Sequence, residues 1–138
     1  MSGTAKVNVN VTGPVLIVDD EEGIRELFST ILSSYLPSVQ VELVANGAEA
    51  VERFRLIHHS LLIMDLHMPV MDGLTAFTQI QAGCTEDSEI MPPVVFCTGY
   101  SPPDSVRALI AEGSPHHLML KPVKPLELVG VVRKRLSA

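Results

Sequence analysis

The sequence predicts a parallel α/β domain built from five strand–helix units. Three observations carry this reading. Short runs rich in Val, Ile, Leu and Phe recur five times, and each is followed by a stretch with apolar residues three and four positions apart. The runs are also apolar nearly throughout instead of alternating, as strands are when both faces of their sheet are covered by helices.

Taken in order, "PVLIVDD" (14–20) is a first strand that ends in two carboxylates. Ile24, Leu27, Phe28, Ile31, Leu32 and Tyr35 then form one helical stripe, which Pro37 brings to an end. "VQVELV" (39–44) is the second strand. Asn46-Gly47 makes the turn, and Ala50, Val51, Phe54 and Ile57 give the second helix its apolar face. "LLIMD" (61–65) is the third strand, and Gly73 opens a third helix carrying Leu74, Phe77 and Ile80. "PVVFCTG" (93–99) is the fourth strand, and Val106, Leu109 and Ile110 mark a shorter helix whose stripe is the weakest of the five. "HLMLKP" (117–122) supplies the fifth strand. Leu126, Val129, Val132 and Leu136 line the last helix, and Arg133, Lys134 and Arg135 suit its negative end. Right-handed crossovers lay such units into one open sheet, for which the flavodoxin-like, doubly wound (βα)5 sandwich with strand order 2-1-3-4-5 is a common solution. Residues 1–13 are expected to be a flexible tail and 14–138 the folded domain.

Composition narrows the function. The 138 residues carry a net charge of −6, which argues against a surface built to neutralise nucleic-acid phosphates. No apolar run approaches the roughly 18 residues needed to cross a bilayer, and "MSGTAKVNVNVTG" lacks the apolar region of a signal peptide. The expected setting is cytoplasmic, with no membrane and no nucleic acid as direct partner. Cys84 and Cys97 are too few for a disulfide framework or a four-ligand zinc site, and Cys97 reads as core.

In an open parallel sheet, functional groups gather beyond the carboxyl ends of the strands where strand order reverses. Strand one delivers Asp19 and Asp20 to that crevice, strand three Asp65, strand four Thr98 and strand five Lys121. Unit charges about 4 Å apart repel by roughly 4 kcal/mol at an effective dielectric near 20, so something positive belongs among three acids. Carboxylates with retained waters suit Mg²⁺ better than Ca²⁺, and Lys121 adds a second positive charge. An ion, a hydroxyl and an ammonium around a central carboxylate form a site for phosphoryl transfer onto that carboxylate, with Asp65 as the nucleophile.

The motifs "VDDEE", "MDLHMPVMDG", "CTG" and "LKP", in this order at strand ends, resemble the receiver domains of two-component response regulators, among them the chemotaxis regulator. The likeness covers about residues 14–137. It implies Asp65 as phosphoacceptor, and Asp20 and Asp65 as direct Mg²⁺ ligands with Asp19 acting partly through water. It also implies the backbone carbonyl of His67 as a further ligand, Thr98 as switch hydroxyl and Lys121 as phosphate contact, with a bond to Pro122 that is often cis. The implied partners are a histidine kinase or phosphotransfer protein and a downstream effector protein. A homodimer through the face of helix four, strand five and helix five is implied as well. The sequence departs from the pattern where receivers carry Tyr or Phe three residues before the lysine, because that position is Leu118. "EGSPHHLMLKP" also runs one residue long, which makes His117 a candidate for the missing aromatic and Tyr100 an alternative.

Blander readings apply elsewhere. Asp72 reads as the cap of the helix opened by Gly73. The pairs His58-His59 and His116-His117 do not make a zinc site, since adjacent side chains point apart and no Cys completes the set. His67 reads as a solvated loop residue, and Met64, Met68, Met71 and Met119 as packing. Two other functions compete: a pseudo-receiver that binds proteins unphosphorylated, and a haloacid-dehalogenase-like phosphatase. The latter expects an Asp-x-Asp nucleophile on the first strand, where this chain has adjacent acids. The chain therefore reads as a signalling switch more than an enzyme.

Overall fold

A computed structural model describes residues 13–137; of the expected tail at 1–13, residues 1–12 lie outside the described residues. The elements alternate throughout: β1 (Val15–Val18), α1 (Glu22–Tyr35), β2 (Val41–Val44), α2 (Gly47–Ile57), β3 (Leu61–Asp65), α3 (Gly73–Glu86), β4 (Val94–Thr98), α4 (Asp104–Leu109), β5 (His117–Leu120) and α5 (Pro125–Leu136). The five strands form one parallel sheet in the order β2-β1-β3-β4-β5, the flavodoxin-like arrangement expected. β1 and β3 are thereby neighbours, with Val18 level with Met64, so the acids that follow one strand and end the other share one crevice.

Strand residues alternate between two apolar layers. Leu16, Val18, Leu62, Met64, Val94 and Phe96 pack with Val51, Phe54, Phe77, Ile80 and Val106 of α2, α3 and α4. Val15, Ile17, Leu61, Ile63, Val95, Cys97 and Met119 pack on the other side with Phe28, Leu32, Leu128 and Val132 of α1 and α5. β1, β3 and β4 are buried along their full length, which is why they read as unbroken apolar runs. β2 and β5 are the edges and are only partly covered. Each fully buried aliphatic side chain in this core contributes roughly 1.5–3 kcal/mol, enough to hold the strand ends in register.

The local signals act as their chemistry dictates. Asn46 caps α2 by accepting the Glu49 amide at 2.9 Å, and Asp72 caps α3 by accepting the Thr75 amide at 2.7 Å. α4 is short, with Val106 its buried residue, as its weak stripe predicted. In α1 the stripe is wider than the face that meets the core. Phe28, Ile31 and Leu32 are buried while Leu27 and Tyr35, at the margins, stay about half exposed. Gly73 is required by close approach: a Cβ there would stand 2.4 Å from the Asp65 carbonyl oxygen.

Candidate functional site: an acidic crevice beside a lysine

The site forms where β1, β3, β4 and β5 end. Asp19 follows β1 and is 2% exposed, Asp65 closes β3 at 6%, and Thr98 closes β4 fully buried. Asp20 is exposed. Carboxylate oxygens of Asp19, Asp20 and Asp65 lie within 4.8 Å of one another, the one such grouping among the described residues spaced to hold a metal ion. Lys121, just beyond β5, bridges two of them: its Nζ donates to Asp19 Oδ2 at 3.1 Å and to Asp65 Oδ2 at 3.2 Å. The remaining oxygens are held by main-chain amides, Asp19 Oδ1 by Glu21 at 2.9 Å and Asp65 Oδ1 by His67 at 3.2 Å. Arg25, one turn into α1, donates from Nη1 to the Asp19 carbonyl oxygen at 2.7 Å.

Electrostatics follow from this packing. Burial pushes the Asp65 carboxyl above its ordinary range, against the pull of the His67 amide and of Lys121, with the Asp19 charge adding to the rise. Burial alone would lower the Lys121 ammonium, but Asp19 and Asp65 together hold it above the usual lysine range. Cys97 is 1% exposed and burial pushes its thiol up to about 12, so it is an inert core residue, as expected.

Asp19, Asp20, Asp65 and Lys121 meet in the crevice, Thr98 stands at the end of the neighbouring β4, and the Lys121–Pro122 bond is cis. Both candidate aromatics, His117 and Tyr100, border the hollow beside α4, but the strand register distinguishes them. Val95 is level with His117, Phe96 with Leu118, and Thr98 with Leu120. By alternation, Leu118 shares the sheet face of Thr98, whereas His117 turns to the opposite face, where it lines a hollow with Glu127, Val131 and Lys134 of α5. Tyr100 is the aromatic tied to the hydroxyl residue: its amide donates to Thr98 Oγ1 at 3.1 Å. Its ring, 71% exposed, meets the ring of His67 edge-on at 5.3 Å between centroids. His67 is an exposed loop residue, as expected, and this ring contact is the one addition to that reading.

Two features escaped the sequence reading. The Arg25 grip depends on a helical turn folding back over the loop before it; the arginine six residues after Asp19 is the only trace of it. The second is at the opposite end of the sheet, where His59 is 1% exposed and pairs through Nε2 with Glu42 Oε1, while Arg53 Nε holds Glu42 Oε2. The pairing engages Nε2 of the buried histidine, while its Nδ1 has no hydrogen-bond partner among the described residues.

A hard divalent cation fits the trio. Octahedral Mg²⁺ with oxygens at 2.0–2.1 Å brings neighbouring ligands about 3 Å apart and opposite ones about 4 Å apart, so the oxygens need only a small closure.

Comparison with known proteins agrees with this architecture. The profile described as the response regulator receiver domain matches residues 15–133. Regulatory protein AtoC of Escherichia coli (strain K12) is 30% identical over 123 residues, 89% of this chain and 25% of its own length. A protein-glutamate methylesterase/protein-glutamine glutaminase of Vibrio parahaemolyticus is 40% identical over 68 residues, 49% of this chain and 18% of that protein. The chain thus spans a quarter or less of these curated relatives. Among solved structures, the signal receiver domain of a signal transduction histidine kinase from Syntrophus aciditrophicus is 31% identical with a TM-score of 0.73, covering 91% of both chains. A CheY-like receiver domain protein from Methanospirillum hungatei JF-1, at 22% identity and a TM-score of 0.74 over 90% of this chain and 93% of that one, shares the fold. The profile match runs from the first residue of β1 into the last turns of α5, and the chain belongs to the response regulator receiver domain family, whose members act as signalling switches.

Proposed function

We propose that this domain accepts a phosphoryl group on Asp65 from the phosphohistidine of a histidine kinase or phosphotransfer protein. One observation carries the reading: a strand-end lysine spans a buried aspartate pair whose oxygens lie within 4.8 Å of a third, exposed aspartate. An Asp65 oxygen attacks phosphorus, the new O–P bond forms as the donor N–P bond breaks, and the departing imidazole takes a proton from solvent. Lys121 holds Asp65 in its ionised, nucleophilic form and balances charge on the transferred group. Thr98 Oγ1 already accepts the Tyr100 amide, which leaves its proton free to donate to a phosphoryl oxygen. Asp20 and Asp65, with Asp19 and the carbonyl of His67, would hold Mg²⁺, which when bound offsets negative charge on the phosphoryl oxygens.

The readout follows from the same contacts. A phosphoryl group on Asp65 competes for Lys121 and Thr98 and draws the loops after β4 and β5 inward, which alters the α4–β5–α5 face. That face carries an open hollow lined by Tyr100, Pro102, Arg107, Ile110, Leu118 and Leu120, shaped to take a downstream effector or a second copy of the chain. Tyr100, through its link to Thr98, is the aromatic we assign to the switch.

Incubation with Mg²⁺ and phosphoramidate, followed by intact mass measurement, tests the proposal. A gain of one phosphoryl group that is absent from Asp65→Asn supports it. No gain makes the domain an unphosphorylated binding module, and turnover of a general phosphomonoester makes it a phosphatase.

A further inference from the structure

We infer that Arg25 is a positioning residue for the acidic loop: by holding the Asp19 carbonyl it sets the direction in which Asp20 leaves the chain, and so the divalent-ion affinity of the site. The inference rests on the proposed use of Asp19, Asp20 and Asp65 as cation ligands.

The geometry points to the peptide between the two acids. The carbonyl oxygen that accepts Arg25 Nη1 at 2.7 Å belongs to the rigid plane that also contains the Asp20 nitrogen. Fixing this oxygen fixes that plane. Asp19 has other restraints, since its amide donates to the Val44 carbonyl at 3.2 Å and its carboxylate is held by Glu21 and Lys121. Asp20 is exposed, so its orientation depends far more on the peptide that precedes it. Arg25 is itself firmly anchored. Its amide donates to the Glu21 carbonyl at 3.1 Å in the first turn of α1, whose Phe28, Ile31 and Leu32 are buried in the core. The grip therefore ties the acid loop to a rigid body. A guanidinium near a cation site also repels the cation, but across solvent this opposing effect is weak at physiological salt. Supporting residues that orient metal ligands typically change affinity 10- to 100-fold.

Mn²⁺ titration followed by water proton relaxation, at about 150 mM salt, reads affinity without phosphorylation. Arg25→Met, which loses the donor, is expected to weaken Mn²⁺ binding about tenfold, and Arg25→Lys to recover most of it. At saturating Mg²⁺ the phosphorylation rate of Arg25→Met returns to near that of the wild type. An Arg25→Met affinity within twofold of the wild type, or tighter, overturns the positioning role, as does equal weakening in Arg25→Lys. Asp20→Asn is the control that separates the two failures. If the wild type binds no Mn²⁺, or Asp20→Asn binds it as well as the wild type, the acid trio is not the cation site and the inference falls with that reading.

Discussion

Replacing Lys121 with Met tests the electrostatic account of the crevice most directly. Lys121 Nζ sits 3.1 Å from Asp19 Oδ2 and 3.2 Å from Asp65 Oδ2. At an effective dielectric near 20, each contact is worth about 5 kcal/mol of Coulomb attraction, and two carboxylates within 4.8 Å of each other repel by at least about 3.5 kcal/mol. Desolvating three charged groups offsets most of the attraction. Removing one member of a buried pair nonetheless costs about 3–5 kcal/mol, because the charge left behind is uncompensated. The Lys121 side chain is 21% exposed, so solvent screens part of the interaction and the expected loss is about 3 kcal/mol. Urea denaturation at pH 7 in EDTA measures it. The deficit should shrink as pH falls toward 4, since Asp65, raised by burial, takes up its proton and the absent lysine has one fewer charge to balance. Adding Mg²⁺ at pH 7 should stabilise the variant more than the wild type, because a divalent ion supplies the missing positive charge. A loss below about 1 kcal/mol at pH 7, or an equal loss at pH 7 and pH 4, would refute the argument that Lys121 balances two buried acids.

Three further outcomes are expected. In Gly73→Ala the new Cβ would stand 2.4 Å from the Asp65 carbonyl, so thermal melting should report a loss of about 1–3 kcal/mol, and the displaced acceptor should be phosphorylated more slowly than in the wild type. Val70 is 81% exposed at φ +70°, inside a turn where the Met71 amide reaches the Pro69 carbonyl at 2.7 Å. That conformation strains a β-branched residue, so Val70→Gly should raise stability by about 1 kcal/mol, and a measured decrease would contradict the strain. His59 and His116 are both held by burial below the usual histidine range, and His116 Nδ1 accepts the Val94 amide at 3.0 Å. A histidine with a depressed folded pKa contributes stability that is present above its unfolded value near 6.5 and lost as pH falls through it. Urea midpoints should therefore fall between pH 6.5 and 5, less steeply in His116→Asn, whose Oδ1 takes the same amide without titrating; a flat profile would rule this out.

Much of the architecture is local in origin, and it was legible for that reason. Leu61 to Asp65 read as a strand buried on both faces, and Phe28, Ile31 and Leu32 as one helix face, because burial imposes periods of two and 3.6 on the residues themselves. Asp72 declared its capping role through its place before Gly73. The residues of the crevice were legible too, since a parallel sheet always carries its strand ends to one edge. Which of them touch was not. That Lys121 reaches Asp19 and Asp65 together, that His117 turns away from Thr98 while the Tyr100 amide donates to it, and that Arg25 grips the Asp19 carbonyl all depend on register across the sheet and on a helix folding back over a loop. Sequence spacing specifies which face and which end a residue occupies. The last few ångströms, and with them burial, charge balance and hydrogen-bond partners, come only from packing residues far apart in the chain.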